Sequence, residues 1–356
     1  MSRRILLLVG AVFLLAEAAR NGALSAERQL MFRGDGTPVY CLAFSPDGKT
    51  LVAGKSDGTL TSWNLEEGKR EAVVEAHSGP VYCVALSPDG KTVASGGTDR
   101  VVKLWNLAKM EQEVVLEGYR GRVCSLAFSP NGETLASGGG VFVTAGEVKL
   151  WDVATQEHLA DLEGHRHVVY SVVFSPDGDR LASAGGRFGK PGEVKLWNVA
   201  DRSEHASLEG PKNRVLATAF SADGETLATV DRDGILRLFD VAEGKVQRAW
   251  LGHTRDVAFV AFSPNDKLLV SASEENTVRL WDPATGKRLT LLYDTVEQRV
   301  TGETLAVAIS PNGKRIATGR LDGRVTLWDV EKLLASGPTP LYEYGRLPVP
   351  VNPRCW

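Results

Sequence analysis

Histidine, serine and aspartate, the residue types of a nucleophilic triad, occur close together at His77, Ser95 and Asp99, and Trp105 follows them. Such a triad performs acyl transfer when its groups lie within hydrogen-bonding distance and the serine hydroxyl is accessible to substrate. The same groups can also form an internal hydrogen-bond network, because a buried hydroxyl or indole N–H without a partner costs about 1–3 kcal/mol. Which of the two applies depends on the elements that position these residues.

The sequence carries only weak signals for a metal or a cofactor. His165 and His167 are spaced as a possible ligand pair, but no second cluster of ligands accompanies them. The 37 glycines follow the turns, and none belongs to a phosphate-binding loop that opens a helix. We therefore expect no metal, no cofactor and no enzymatic activity.

A repeated unit carries the triad-like residues. Apolar segments end in an aromatic residue followed by Asp or Asn at intervals of 42 to 47 residues, at Trp63, Trp105, Trp151, Trp197, Phe239, Trp281 and Trp328. In the unit that ends near residue 116, short apolar runs lie at 81–86, 92–95, 101–105 and 113–116, separated by Gly, Asp and Pro. This pattern predicts four antiparallel strands per unit, repeated seven times.

The first two strands of each unit are joined by a Ser-Pro-Asp-Gly turn or a close variant of it. Pro presets the second position of a type I turn, and Gly is favoured at the fourth. Two units depart from the pattern, since Ala222 replaces Pro in one and Asn265-Asp266 replaces Asp-Gly in another. The small sheets have two apolar faces, which a radial arrangement of seven sheets would cover.

These repeated segments resemble the WD-repeat (WD40) family of β-propellers, and the Ser-Pro-Asp-Gly turns resemble the bacterial type of repeat. The resemblance covers residues 27–330. It implies an all-β, seven-bladed propeller in which each blade is a four-stranded antiparallel sheet. It also implies that a terminal strand closes the ring. We expect the segment 28–33 to pair with the strand ending at Trp328, and the segment 341–344 is the alternative.

The resemblance further implies that His77, Ser95, Asp99 and Trp105 form a structural network. In the other units the His position reads Asp35, Tyr119, His165, Pro211 and His253, and the Asp position reads Asp57, Ala145, Pro191, Asp233, Glu275 and Asp322. We therefore expect a complete network only in the unit of Trp105. The units of Trp151, Trp197 and Phe239 are expected to depend more on packing.

The two ends of the chain differ from the repeats. Arg3 and Arg4 precede an apolar run at 5–15 and the small residues around Ala18. This pattern predicts a signal peptide at 1–18, with cleavage possible as late as residue 26, and hence a periplasmic or extracellular protein. An uncleaved N-terminal membrane anchor is the alternative, and no other segment is long and apolar enough to span a membrane. The tail at 331–356 is rich in proline, which favours an extended chain.

Composition restricts the partners and the role of the cysteines. A net charge of −3 gives no bulk attraction to nucleic acid. Cys41 and Cys83 occupy equivalent places in predicted innermost strands, where a buried free thiol is expected rather than a disulfide. The oligomeric state cannot be predicted from these features.

Recognition is expected on loops, because the scaffold repeats and the loops vary. The spacing between the serine of the second strand, or its equivalent, and the aromatic residue that ends the third strand is 10 residues in five units. It is 14 residues in the other two, from Ser137 to Trp151 and from Ser183 to Trp197. In the family these loops and those before the innermost strands share one face, the top. The predicted partner-binding residues there are Tyr119, Arg120, Arg122, Phe142, Arg166, Arg187, Phe188, Lys190, Lys212, Arg214, Arg232 and Arg255.

Arginine and aromatic side chains dominate interface hot spots, and Arg can bind a carboxylate with two parallel hydrogen bonds. We therefore expect a non-catalytic scaffold that binds a protein or peptide, possibly an acidic one. Tyr40, Tyr82 and Tyr170 either crowd the mouth of the channel or pack between blades. The alternative functions are an exported propeller enzyme of the lactonase-like or quinone-cofactor type, and a structural component of an envelope assembly.

Overall fold

The computed structural model describes residues 28–141, 145–292, 295–296, 299–300 and 303–335. The predicted signal peptide, Phe142, the alternative closing segment 341–344 and the tail beyond residue 335 lie outside these residues.

Six blades follow one another along the chain, each a four-stranded antiparallel sheet in sequence order, after a first strand β1 (Arg28–Phe32) that belongs to the seventh. Blade 1 contains β2 (Val39–Phe44), β3 (Thr50–Lys55), β4 (Thr59–Asn64) and β5 (Lys69–Glu75). Blade 2 contains β6 (Val81–Leu86), β7 (Thr92–Gly97), β8 (Val102–Asn106) and β9 (Glu111–Leu116). Blade 3 contains β10 (Arg122–Phe128), β11 (Thr134–Gly140), β12 (Gly146–Asp152) and β13 (His158–Asp161).

The second half of the chain repeats this order. Blade 4 contains β14 (Val169–Phe174), β15 (Arg180–Gly185), β16 (Glu193–Asn198) and β17 (Glu204–Ser207). Blade 5 contains β18 (Val215–Phe220), β19 (Thr226–Asp231), β20 (Ile235–Asp240) and β21 (Lys245–Leu251). Blade 6 contains β22 (Val257–Phe262), β23 (Leu269–Ser273), β24 (Thr277–Asp282) and β25 (Lys287–Leu292). A two-stranded hairpin, β26 (Thr295–Val296) and β27 (Arg299–Val300), precedes blade 7.

Blade 7 closes the ring with a strand from the beginning of the chain, as predicted. Its own strands are β28 (Thr304–Ile309), β29 (Arg315–Arg320) and β30 (Val325–Asp329), and β1 pairs antiparallel with β30, with Leu30 opposite Leu327. Phe32 of β1 also packs against Trp63 of blade 1, with ring centroids 5.2 Å apart. The innermost strands of all seven blades contact one another in cyclic order, so the predicted all-β, seven-bladed propeller is confirmed.

The core lies between blades rather than in one centre. The described residues form seven buried apolar clusters, and each is shared by two neighbouring blades. For example, Leu104 of blade 2 packs with Leu135 and Trp151 of blade 3. The short helix α1 (Val330–Ala335) adds Val330 and Leu333 to the cluster between blades 6 and 7. Each blade is therefore covered on both apolar faces by its neighbours. No helix within the described ranges has the length and hydropathy of a membrane span.

The turns between first and second strands form a ring of contacts on the bottom face, opposite the top. At six junctions the Pro of one turn packs on the Gly of a neighbouring turn; a Cβ at Gly90, for instance, would lie 3.5 Å from Cδ of Pro46. The two departures from the turn pattern meet at the seventh junction. There the backbone N–H of Ala222 donates to Oδ1 of Asp266 at 2.7 Å, and Asp266 adopts a φ of 55°. A hydrogen bond thus replaces one Pro–Gly contact.

Candidate functional site

The triad-like residues of blade 2 form an internal chain of hydrogen bonds. Trp105 Nε1 donates to Ser95 Oγ at 2.8 Å, and Ser95 Oγ lies 2.7 Å from His77 Nε2. His77 Nδ1 lies 2.8 Å from the carboxylate of Asp99. Ser95 is completely buried, so its hydroxyl cannot reach a substrate and these residues do not act as a nucleophilic triad. They hold the loop before β6 against blade 2.

Blade 4 contains the same chain with a different acid. His165 Nε2 lies 2.6 Å from Ser183 Oγ, which accepts from Trp197 Nε1 at 2.7 Å, and His165 Nδ1 lies 3.1 Å from Glu193. The expectation that blade 4 depends mainly on packing is therefore wrong. Glu193, the first residue of β16, supplies the carboxylate that Pro191 lacks.

Blade 6 also completes the chain, with His253 at 2.6 Å from Ser271, Trp281 at 2.8 Å from Ser271, and Glu275 at 2.7 Å from His253. The network is therefore not confined to the unit of Trp105. The longer glutamate side chain takes the place of Asp99 of blade 2.

The distances are compatible with neutral histidines that carry the proton on Nδ1. In that form the indole N–H donates to the serine oxygen, the serine hydroxyl donates to Nε2, and the Nδ1–H donates to the carboxylate. Burial lowers the pKa of His77, His165 and His253, in agreement with this arrangement. Burial alone would raise the pKa of Glu193, but hydrogen bonds from His165, His167 and the backbone N–H of Arg166 together bring it down to about 2.

Blade 3 builds its network on a tyrosine in place of histidine. Tyr119 Oη lies 2.7 Å from Ser137 Oγ and accepts a hydrogen bond from Trp151 Nε1 at 2.8 Å. Glu147 accepts hydrogen bonds from the backbone N–H groups of Arg120 and Gly121. Tyr119 is buried, so it supports the loop and is not available for the partner contact predicted from sequence. Blade 3 was expected to depend more on packing than blade 2, but it also contains a buried hydrogen-bond network.

Blades without His or Tyr at this position carry an ion pair near the top of the second strand. Lys55 Nζ of blade 1 lies 2.6 Å from Asp35. In blade 5 the carboxylate of Asp231 and the guanidinium of Arg237 form a buried pair. In blade 7, Arg324 Nε donates to Asp322 at 2.7 Å. The pair of blade 1 holds the loop before the first strand through Asp35, whereas the pairs of blades 5 and 7 lie within the hairpin of the second and third strands.

Exposed cations lie around the top of blades 3 to 6. The exposed members of the predicted set are Arg120, Arg166, Arg187, Phe188, Lys190, Lys212 and Arg255. Arg120 lies 3.7 Å from Glu147. Within the described ranges, the other five cations form no ion pair with a carboxylate. Most acids of this face are engaged internally, since Glu147 and Glu193 bind backbone N–H groups.

Two arginines of the predicted set instead share one carboxylate, that of Asp256, which was not identified from the sequence. Asp256 lies 3.4 Å from Arg214 Nη2 and 3.0 Å from Arg232 Nε. Arg214 is only 3% exposed, so it cannot form a partner contact without rearrangement, which corrects the prediction. Burial, followed by the charges of Asp256 and Glu303, raises the pKa of Glu274 beside this cluster. Asp256 precedes β22 as Arg214 precedes β18, and this shared position was the available signal.

Aromatic rings lie beside the arginines of the top face. Phe188 is 60% exposed, and the guanidinium of Arg232 lies over its ring at 4.2 Å. Arg122 lies over Tyr82 at 5.5 Å and over Tyr170 at 6.0 Å. Tyr40 stacks on Tyr82 at 5.7 Å. The loop of blade 4 therefore reaches blade 5. Tyr40 and Tyr82 lie on adjacent innermost strands, and β10 with Arg122 separates Tyr82 from Tyr170.

No group of three or more His, Cys, Asp or Glu side chains among the described residues is arranged to hold a metal ion. His167 of the suggested ligand pair lies 2.9 Å from Glu193 instead. Cys41 and Cys83 are free, and their thiols donate to backbone carbonyls of Val81 and Gly96. Burial raises the pKa of the Cys41 thiol to about 12, which keeps it protonated and unreactive.

Comparison with known families matches the chain to one family model, described as WD domain, G-beta repeat. The match comprises seven segments, at 27–64, 68–106, 110–152, 156–198, 202–240, 244–282 and 297–329. No curated protein matches the chain. The seven matched segments agree in number with the seven blades, although their bounds are offset by one strand: the segment 68–106, for example, joins the outer strand of blade 1 to the first three strands of blade 2. The chain belongs to the WD40 repeat family of β-propellers.

Proposed function

We propose that this protein is a non-catalytic scaffold that binds a protein or peptide on the top of blades 3 to 6. WD40 propellers are typically protein-interaction scaffolds and generally non-catalytic, which is the background for the proposal. The proposed contact surface, the top-face patch, comprises Arg120, Arg166, Arg187, Phe188, Lys190, Lys212 and Arg255.

The observation that carries the proposal is the split between engaged acids and exposed cations on this face. Glu147, Glu193 and Asp256 are occupied by backbone N–H groups, histidines or arginines of the protein itself. Arg166, Arg187 and other cations are exposed and form no ion pair within the described part of the chain. The patch therefore presents positive charge although the whole chain is slightly acidic.

Phe188 gives this charged patch an apolar centre. Its ring is 60% exposed and is held on one side by the guanidinium of Arg232. An aromatic ring supported by a cation and surrounded by arginines has the composition of an interface hot spot. A peptide or protein loop with carboxylates around an apolar residue would match it.

The test is simultaneous charge reversal of Arg166→Glu, Arg187→Glu and Arg255→Glu. Partner capture from the native compartment, followed by mass spectrometry and a binding measurement on the captured partner, should be lost, with an unchanged Tm. The matched control reverses three exposed lysines at the bottom face, Lys69, Lys91 and Lys109, with the same change in net charge. Equal capture by both variants and the wild type would refute the patch.

Export is part of the same proposal. We propose that residues 1–18 are removed as a signal peptide, with cleavage possible up to residue 26, and that the mature propeller occupies 27–330 with a proline-rich tail at 331–356. The sequence pattern supports this location, as it supports the bacterial type of the repeats. N-terminal sequencing of the native protein tests it. A mature chain that begins at Met1 would favour an uncleaved membrane anchor.

A further inference from the structure

Arg122 occupies the inner edge of the ring at the top of blade 3. It is the first residue of β10, and its guanidinium lies over Tyr82 of β6 and Tyr170 of β14, at 5.5 and 6.0 Å from the ring centroids. The strands β6 and β14 flank β10 in the ring of innermost strands. A single side chain can contact both only on the channel side of blade 3. Arg122 therefore lies in the mouth of the central channel.

The charge of Arg122 is not balanced by the protein in the way that comparable cations are. Other buried or half-buried cations at the top pair with a carboxylate, namely Lys55 with Asp35, Arg214 and Arg232 with Asp256, Arg237 with Asp231, Arg279 with Glu275, and Arg324 with Asp322. Lys103 instead donates to the backbone carbonyl of Ala76 at 2.6 Å. No described carboxylate lies within 4.0 Å of the half-buried Arg122. A partly desolvated cation is stabilised by a nearby anion.

A second feature beside Arg122 points to a missing partner. The hydroxyl of Tyr170 is buried and has no hydrogen-bond partner among the described residues. Buried polar groups of this kind are normally satisfied, by protein or by another bound molecule. The guanidiniums of Arg122 and Arg214 both lie near the tyrosine ring, at 6.0 and 5.7 Å from its centroid, and Arg214 has Asp256 as a partner. Arg122 is thus the guanidinium beside Tyr170 that lacks a described carboxylate.

We infer that Arg122, flanked by Tyr82 and Tyr170, is a subsite for a single carboxylate, the side chain of an Asp or Glu residue of the bound peptide. The inference rests on the proposed function and specifies the residue that anchors its ligand. The planar guanidinium matches a carboxylate with two parallel hydrogen bonds, and the tyrosine rings exclude water from the pair. A doubly charged phosphate would favour a second cation without a carboxylate partner, whereas Arg214, the other guanidinium beside Tyr170, already pairs with Asp256.

The experiment compares two fluorescein-labelled hexapeptides that alternate glycine with either glutamate or glutamine. Binding to the full-length protein is measured by fluorescence anisotropy at constant ionic strength. The glutamate peptide should bind roughly 10- to 100-fold more tightly than the glutamine peptide, the difference expected for one charge-assisted pair. Arg122→Gln should lower this preference about tenfold or more, leaving only the contribution of the top-face patch, and Arg122→Lys should restore only part of the loss. Lys91→Gln, which removes an equal charge from the bottom face, should keep the full preference.

Each outcome has a separate meaning. An undiminished preference in Arg122→Gln would overturn the subsite but leave the top-face patch intact. Equal or undetectable binding of the two peptides by the wild-type protein would also overturn the subsite, while the partner-capture experiment alone decides the proposed function. Tighter binding of the same peptide with phosphoserine would contradict the assignment to a carboxylate. The comparison of the glutamate and glutamine peptides on the wild-type protein does not depend on the folding of a variant.

Discussion

Ser183→Ala tests whether the hydrogen-bond network or packing stabilises blade 4. The substitution removes the oxygen that joins Trp197 Nε1 to His165 Nε2, at 2.7 and 2.6 Å. Both groups are buried, and each would lose a partner at a cost of about 1–3 kcal/mol. The expected loss in the free energy of unfolding is therefore about 2–6 kcal/mol for the two groups. Ser95→Ala in blade 2 should cost a similar amount, because it breaks an equivalent chain.

Thr229 of blade 5 provides the matched control. It occupies the same strand position, but its hydroxyl is buried and has no hydrogen-bond partner among the described residues. Thr229→Val removes this hydroxyl and keeps the shape, so it should be neutral or stabilise the protein by about 1 kcal/mol. Denaturant unfolding followed by tryptophan fluorescence measures both variants, and hydrogen exchange of the Trp197 indole reports the local effect. A cost below about 1 kcal/mol for Ser183→Ala would refute the reasoning.

Three other predictions concern the pH dependence, the bottom ring and the closure of the propeller. The pKa of Glu193 is lowered from 4.5 to about 2 in the folded protein. The stabilisation from the ionised carboxylate is therefore complete above pH 4.5 and is lost as the pH falls toward 2. Glu193→Gln should lower the Tm at neutral pH but not near pH 2. Ala222→Pro and Asp266→Gly should each leave the free energy of unfolding nearly unchanged or lower it. The double variant restores a Pro–Gly contact, so a double-mutant cycle should give a coupling free energy of about 1 kcal/mol. Deletion of 28–32 should open the ring and markedly lower the Tm, and an unchanged Tm would show that another segment fills the edge of blade 7.

The fold was predictable because its signals are local and repeated. The interval between aromatic residues predicted the seven blades, and turn residues such as Pro88 and Gly90 predicted the first hairpin of a blade. The closing strand was predictable because 28–33 resembles an outer strand but precedes the first complete blade. These signals depend on residue type and spacing alone, without knowledge of side-chain contacts.

The hydrogen-bond networks of the blades were less predictable, because they depend on how far a side chain extends rather than on its aligned position in the repeat. Alignment of the repeats placed Pro191 where the acid should be, whereas the carboxylate comes from Glu193. Tyr119 was predicted to bind a partner because it lies in a top-face loop, yet its hydroxyl reaches the serine of blade 3 as histidine does in blades 2, 4 and 6. A longer side chain or a shift of two residues supplies the same atom at the same place, which repeat alignment does not reveal.

Contacts between neighbouring blades were the least predictable from sequence, since they join residues roughly one repeat apart. Arg214 and Asp256 are separated by 42 residues, and each looks like an ordinary loop charge until the blades are placed side by side. Counting charges by loop therefore overestimated the available positive charge of the top face. It also concealed the difference between Arg214, which has an internal partner, and Arg122, which lies between two tyrosines.

This division of the top-face charges determines which substitutions can identify a binding site. A change at an engaged residue such as Arg214 leaves Asp256 buried without one of its partners, so it would alter the stability of the loops together with any affinity for a partner. Loss of binding in such a variant would not distinguish a contact residue from a supporting one. Exposed cations such as Arg166 and Arg187 have no internal partner within the described residues, and surface substitutions of this kind seldom change stability much. Loss of binding with an unchanged Tm in those variants therefore identifies the contact surface itself.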